Sequence, residues 1–281
     1  MLKTYVINLK RRNDRLQFVK EQLDQLGIVF ERVNAVDGND LSADQRELYD
    51  QKKFALECKR QLVNGEIGCA LSHRAVWQQM VADKIPYALI LEDDVRLKSE
   101  LVSLLADSEC YEAFDFLNLT LKKPIYDIDH ASVKFCLDNK HLIRPALWQS
   151  RHFWRNMEKS AIVKWRIFRL HQLANGMIAC ECDPAPSLAC CYILSLHGAI
   201  SFLATSEKLF YPIDKVWHHS GGLLKQAFLL DPLAYQAFDS DINNRTRFNL
   251  SLVQKIRRYF VKGRRWRRRL DIVRLYGWKR L

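Results

Sequence analysis

At 281 residues with 48% apolar side chains, the chain has enough apolar mass for a sizeable core, as one large domain or a domain with an appendage, and a folded enzyme is the default. No uncharged apolar run reaches the roughly 18 residues of a spanning helix: residues 188–202 come nearest and are broken by Ser195, His197 and Ser201. The net charge of +12 is uneven, since fourteen of the 44 Lys and Arg fall in residues 245–281 against one acid, Asp271, and leave thirty bases facing thirty-one acids elsewhere.

The N-terminus lacks the basic, apolar and small-residue order of a signal peptide, so the chain is expected in the cytoplasm with its eight cysteines reduced. Cys180, Cys182, Cys190 and Cys191 cluster, but Cys-x-Cys followed by Cys-Cys is not a usual zinc spacing. Thr4 to Leu9 reads as a buried strand, and Leu16, Val19, Leu23 and Leu26 recur at helical spacing over Arg12 to Leu26, with Gly27 as the stop. Between them Lys10, Arg11, Arg12 and Arg15 lie just past a strand end, where cations beside a helix N-terminus either gather round a diphosphate or face water. Ile28 to Val33 gives a second strand, and Ala35-Val36-Asp37-Gly38 sets an acid in a turn that accepts backbone amides or reaches a ribose or uracil. Asp40 to Gln61 reads as surface helix over much of its length. Gly65 to Ala82 is the next helix with its entry, and its lone histidine, His73, suits a packed structural residue as well as a ligand.

The stretch Tyr87-Ala-Leu-Ile-Leu-Glu-Asp-Asp-Val95 organises the rest. Ala88 to Leu91 run as a strand buried on both faces, and Glu92, Asp93 and Asp94 follow where that strand reaches the sheet edge. Adjacent carboxylates repel one another unless a cation sits among them, and oxygen donors suit Mn²⁺ or Mg²⁺; a solvated loop after a core strand is the plainer alternative. A helix near Glu100 to Ala106 and a strand over Phe114 to Leu119 continue an alternation that predicts an α/β fold, with a mainly parallel central sheet flanked by helices. In residues 120–187, Trp148, Phe153, Trp154, Trp165 and Phe168 interleave with arginines, which suits sugar stacking and phosphate pairing in an acceptor region, or an amphipathic helix on the core. In residues 245–281, Trp266, Tyr276 and Trp278 alternate with Arg264 to Arg269, a pattern for an anionic membrane surface or a solvated basic helix; nucleic acid is the less favoured partner.

Four blocks, Tyr5-Val6-Ile7-Asn8-Leu9 with its arginines, Ala35 to Gly38, Gly65-Glu-Ile-Gly-Cys-Ala-Leu-Ser-His73 and Leu91-Glu-Asp-Asp-Val95, together resemble glycosyltransferase family 25, the lipooligosaccharide galactosyltransferase-like enzymes. The resemblance is dense over residues 3 to about 120, looser over 190–215 and poor over 120–187. It implies a GT-A-like nucleotide-sugar fold over residues 1–244, with 245–281 as a basic helical extension. It places Asn8, Arg11 and Arg15 near the nucleotide, Asp37 on the ribose or uracil, and Glu66, Ser72 and His73 in the donor pocket. Tyr211-Pro-Ile-Asp214 is similar to the family's Pro-x-Asp, and His218 or His219 to a histidine that completes the metal site.

The implied reaction is inverting transfer of a hexose, galactose from UDP-galactose, to a lipooligosaccharide or lipopolysaccharide glycan, by an enzyme peripheral on the inner face of the cytoplasmic membrane. Asp94, Glu92 and His218 would hold Mn²⁺ or Mg²⁺, Asp93 would face the ribose or a backbone amide, and Asp214 or Asp115 would be the general base, with Trp154 on the acceptor. A metal-dependent phosphoesterase or nuclease would also use Glu92 and Asp94 but lacks a second acid cluster, and a basic adaptor would explain the tail but not the acidic strand end.

Overall fold

The computed structural model describes residues 2–120, 166–238, 248–262 and 266–276. Trp154 and the other aromatics of residues 120–165 lie outside them.

An eight-stranded sheet forms the centre, in the order β2-β1-β3-β8-β5-β9-β7-β6. Its strands are β1 (Lys3–Leu9), β2 (Glu31–Ala35), β3 (Tyr87–Glu92), β5 (Phe116–Asn118), β6 (Arg166–Gln172), β7 (Ile178–Asp183), β8 (Cys191–Ser195) and β9 (Gln226–Leu229). The pairings β2/β1, β1/β3 and β5/β9 are parallel, whereas β8 runs antiparallel to both its neighbours and β7 to both of its own. Six strands therefore share one direction, the mainly parallel sheet that the alternation predicts, and two, β8 and β7, oppose it. β8 is reversed where it slots between β3 and β5, and β7 is reversed because it turns back from β6 in a hairpin.

The apolar run of each inner strand is continuous because both faces are covered. Tyr5, Ile7, Ile90, Phe116 and Tyr192 pack with Trp77 and Met80 of α4 (Asn64–Ala82), Phe202 of α7 (Leu196–Thr205) and Trp217. Val6, Leu89, Leu91 and Ile193 face the opposite side, onto Val19 and Leu23 of α1 (Asn13–Gln25), Leu101 and Leu104 of α5 (Leu101–Ala106) and Tyr111 of α6 (Glu109–Glu112). Gly27, at φ +67°, ends the first helical unit as expected.

Two departures have local causes. The helix expected over Asp40 to Gln61 is split into α2 (Ala43–Arg46) and α3 (Gln51–Cys58), because Ser42 and Asp50 each cap a new start. Leu209 stitches the break by donating to Leu48 O and accepting from Asp50 N. The tail is also not uniform. In α9 (Trp266–Tyr276), Asp271 and Ile272 are buried, Tyr276 stacks on Phe168 of β6 at 4.0 Å, and its hydroxyl donates to Glu181 Oε1 at 2.7 Å. By contrast α8 (Leu252–Lys262) lies beside α3, tied there by Phe248 N donating to Lys59 O at 2.9 Å.

The described cysteines are free thiols, and Cys180 and Cys182 face the opposite side of the sheet from Cys190 and Cys191, so the cluster in sequence is not one in space. Among the described residues no helix is long and apolar enough to cross a membrane.

Candidate active site

The chain goes from β1 to β2 on one side and returns to β3 on the other, so the strand order reverses beside β1, and crevices at such a reversal bind ligands in open α/β sheets. A cleft of about 270 Å³ opens there at the carboxyl ends of β1, β2 and β3.

One wall is built by two glycines. A Cβ on Gly68 would lie 2.4 Å from Val36 O, and one on Gly38 would lie 2.7 Å from the Asn64 carbonyl, so the Ala35–Gly38 turn rests directly on the first turns of α4. Ser72 locks the contact, accepting from Val36 N at 2.8 Å and donating to Gly68 O at 2.7 Å. Asp37 is thereby held at the rim, where it accepts from Arg11 Nε at 2.6 Å and from Asn39 N at 3.0 Å. The Arg11 guanidinium holds the Asp37 carboxyl below its usual range.

The floor is the acid turn, and its three carboxylates have different partners. Glu92 Oε1 meets His73 Nε2 at 3.0 Å, and His73 Nδ1 meets the Tyr192 hydroxyl at 2.8 Å. Trp77 Nε1, which can only donate, gives its proton to that hydroxyl at 3.0 Å. The assignment that satisfies all four groups has Tyr192 donating to Nδ1 and the Nε2 proton of His73 donating to Glu92. Asp93 points back into the protein, accepting from Asn8 Nδ2 at 2.6 Å with Arg15 Nη1 3.6 Å from its other oxygen. Arg32 continues that network by donating to Asn8 Oδ1 at 2.7 Å. Asp94 Oδ2 accepts from Gln236 Nε2 at 2.9 Å, while Oδ1, buried, has no hydrogen-bond partner. Burial, then the charge of Glu92, pushes the Asp94 carboxyl up to about 7. Asp93 is also raised, by its burial, against the opposing effects of Asn8 and Arg15.

A buried, unsatisfied carboxylate oxygen beside a second carboxylate fits a hard divalent cation, with Asp94 and Glu92 as oxygen donors. Donor atoms of Cys69, His73 and Glu92 also lie within 4.8 Å of one another. That set suits a metal less well, because the Nε2 proton of His73 is committed to Glu92 and burial drives the Cys69 thiol well above its usual value.

Of the residues expected at the site, Arg11, Arg15, Asp37, Ser72, His73, Glu92, Asp93 and Asp94 line this one cleft, and Asn8 lies beneath it. Three of the expected residues are placed away from this lining. Glu66 does not face the donor space; it sits behind the wall in a buried two-bond pair with Arg60, at 2.6 and 2.5 Å. His218 is not on the lining of this cleft; its Nε2 meets Ala185 O at 3.1 Å. Asp115 is at the other end of the sheet, where it accepts from Ser195 Oγ and His197 Nδ1. Ser195 is the register partner of Tyr87, so this end is a strand length of about 17 Å from Glu92. Asp214, in the 3-10 turn Ile213–His218, is outside the lining, but its charge acts on Cys69, which lines the cleft, and on Arg60.

Sequence reasoning missed Gln236, Arg32, Arg60 and Tyr192. Gln236 arrives on β10 (Ala234–Gln236), which pairs antiparallel with β4 (Val95–Leu97) and crosses the acid turn from 142 residues away. No local pattern could announce it.

The sequence profile of glycosyltransferase family 25 (LPS biosynthesis protein) matches residues 1–217. A glycosyltransferase 25 family member of Aedes aegypti is 35% identical over 127 residues, 42% of this chain and 21% of its own length. Procollagen galactosyltransferase 2 of Mus musculus is 35% identical over 111 residues, 37% of this chain and 18% of its own. An inactive glycosyltransferase 25 family member 3 of Homo sapiens is also 35% identical, over 103 residues, 34% of this chain and 17% of its own. The matched stretch thus spans about a fifth of these relatives' length.

Proposed function

We propose that this chain, which belongs to glycosyltransferase family 25, transfers galactose from UDP-galactose to a hydroxyl of a lipooligosaccharide or lipopolysaccharide glycan, with inversion at the anomeric carbon. The observation that carries the reading is Asp94 Oδ1, a buried carboxylate oxygen with no hydrogen-bond partner at the sheet's switch-point cleft, with Arg11 and Arg15 on the same lining. Support for galactose comes from relatives named procollagen galactosyltransferases, and for the acceptor from the family's description as LPS biosynthesis proteins. A relative named inactive is as similar to this chain as one named a galactosyltransferase, so the site, and not sequence identity, supports activity.

Each group then has a task. Arg11 and Arg15 set positive charge where negative charge rises on a departing diphosphate, and Asp37 keeps the Arg11 guanidinium at the rim. The Trp77-Tyr192-His73 chain fixes the Glu92 carboxylate, and Gln236 fixes one oxygen of Asp94 so that the other faces away from it. A divalent cation, Mn²⁺ or Mg²⁺, held by Asp94 and Glu92 would supply further charge neutralisation for the diphosphate. In the proposed step the acceptor oxygen bonds to C1 of the hexose as the bond from C1 to the phosphate oxygen breaks. The acceptor's proton passes to a base, for which Asp214, whose charge acts on the lining residue Cys69, is the candidate, and UDP leaves.

Purified protein is to be incubated with a panel of UDP-sugars and truncated lipooligosaccharides, with collagen peptides as a second acceptor arm, and the products weighed. One added hexose from UDP-galactose on the glycan is the expected result. Transfer to collagen peptides alone would overturn the acceptor, and cleavage of phosphodiesters without any transfer would overturn the reaction.

A further inference from the structure

We propose that α8 docks this protein on an anionic lipid bilayer, with Leu252, Val253 and Ile256 entering the boundary between headgroups and acyl chains. These three side chains are 74%, 59% and 53% exposed on a single helix. At about 100° per residue they fall within one arc of roughly 100°. Lys255 and Arg257, both exposed, fall on either side of that arc, and half-buried Gln254 falls opposite it. The helix is therefore turned with its polar side toward the body and its apolar arc outward, the reverse of a helix packed to complete a core. Bases flanking an outward apolar arc are the arrangement of a helix lying in a membrane interface, where long basic side chains reach lipid phosphate while the apolar arc sinks below them.

Charge complementarity selects the occupant. Residues 245–281 contain fourteen Lys and Arg and one acid, and that acid, Asp271, is buried in α9. A nucleic acid would match the charge but gives no use for the three apolar side chains, whereas an anionic bilayer matches both. The docking element is α8 and not the whole tail, because the far end of α9 is turned inward by the contacts of Tyr276 with Phe168 and Glu181. The position also suits a lipid-borne acceptor. α8 lies beside α3, Arg60 sits 5.0 Å over the Phe54 ring of α3, and Arg60 holds Glu66 in the first turn of α4, next to Gly65 on the cleft lining. The docking itself does not rest on the transferase reading.

Cosedimentation of the full chain with vesicles of phosphatidylcholine, alone or mixed with phosphatidylglycerol, tests it. Binding is expected to the mixed vesicles only, and to fall as salt is raised. Replacing the arc as L252S/V253S/I256S should weaken partitioning about tenfold or more, and K255Q/R257Q by about fivefold per charge removed, with unchanged melting temperatures. Val253→Trp should strengthen it. The proposal fails if the wild type ignores anionic vesicles, if the apolar variant binds them as the wild type does, or if duplex DNA is bound in their place. It fails equally if the apolar variant converts a dimer to a monomer with no change in vesicle binding.

Discussion

Replacing Glu66 by glutamine keeps the side chain's size and removes the counter-charge of Arg60, a residue that is 8% exposed. Arg60 then keeps its bond to Gln61 O at 3.2 Å, its place over the Phe54 ring and the attraction of Asp214, and the glutamine carbonyl oxygen still accepts from it. Breaking a buried ion pair from one side costs about 3–5 kcal/mol, and these residual supports set the expected loss near the lower limit, about 3 kcal/mol. For a chain of this size that corresponds to a fall of roughly 6–12 °C in Tm. Differential scanning calorimetry measures the fall, and UDP affinity measured well below both transitions should be little changed, because Glu66 lies behind the cleft wall. The double variant R60M/E66M should recover most of the loss, since well-packed apolar side chains replace a buried pair at little cost. An unchanged Tm together with a large loss of UDP affinity would refute the reasoning and make Glu66 a donor-binding residue.

Other substitutions separate the wall from the floor. Gly68→Ala drives a methyl into Val36 O and should cost about 1–3 kcal/mol while raising KM for the donor, whereas Gly27→Ala, with nothing within 4 Å but φ at +67°, should lower Tm without touching KM. Gln236→Ala frees Asp94 Oδ2 and should weaken Mn²⁺ binding about tenfold, read by the free-Mn²⁺ signal in electron paramagnetic resonance. In chelator, the native state holds the Asp94 proton up to about 7 while the unfolded chain releases it near 4, so the native state binds more protons in between. Stability contributed by this group is therefore present below pH 4 and lost as pH rises toward 7. Asp94→Asn should flatten that part of the urea-unfolding profile, and a profile identical to wild type would contradict the assignment.

Much of the site was legible because it is built from short continuous blocks. The apolar run into Glu92-Asp93-Asp94 marks a strand end with both faces buried, and arginines after Leu9 mark a neighbouring strand end in the same direction. Parallel β1 and β3 necessarily bring those two ends together, which is why Arg15 and Asp93 meet. The Gly38 and Gly68 contact was hidden, because a glycine in sequence does not say what approaches it. Glu66 reads as a donor-pocket residue only through the family resemblance, and its burial depends on Arg60, whose reach around the left-handed Lys59 no spacing rule supplies. The β6/β7 hairpin was read as an acceptor segment or a helix since its aromatics and arginines do not alternate cleanly, and its outer neighbour, α9, is nearly a hundred residues further on. Asp115 was misplaced for a topological reason: it precedes β5 instead of following a strand, so it falls at the opposite end from the acids.

In the proposed site, UDP binding is the property that the unpartnered oxygen of Asp94 should set most directly. Calorimetric titration of UDP into the wild type and Asp94→Ala, each with Mn²⁺ and with chelator, should show binding only in the wild type with Mn²⁺. Equal affinity in all four titrations, or none in any, would contradict a nucleotide-sugar site at the end of β3.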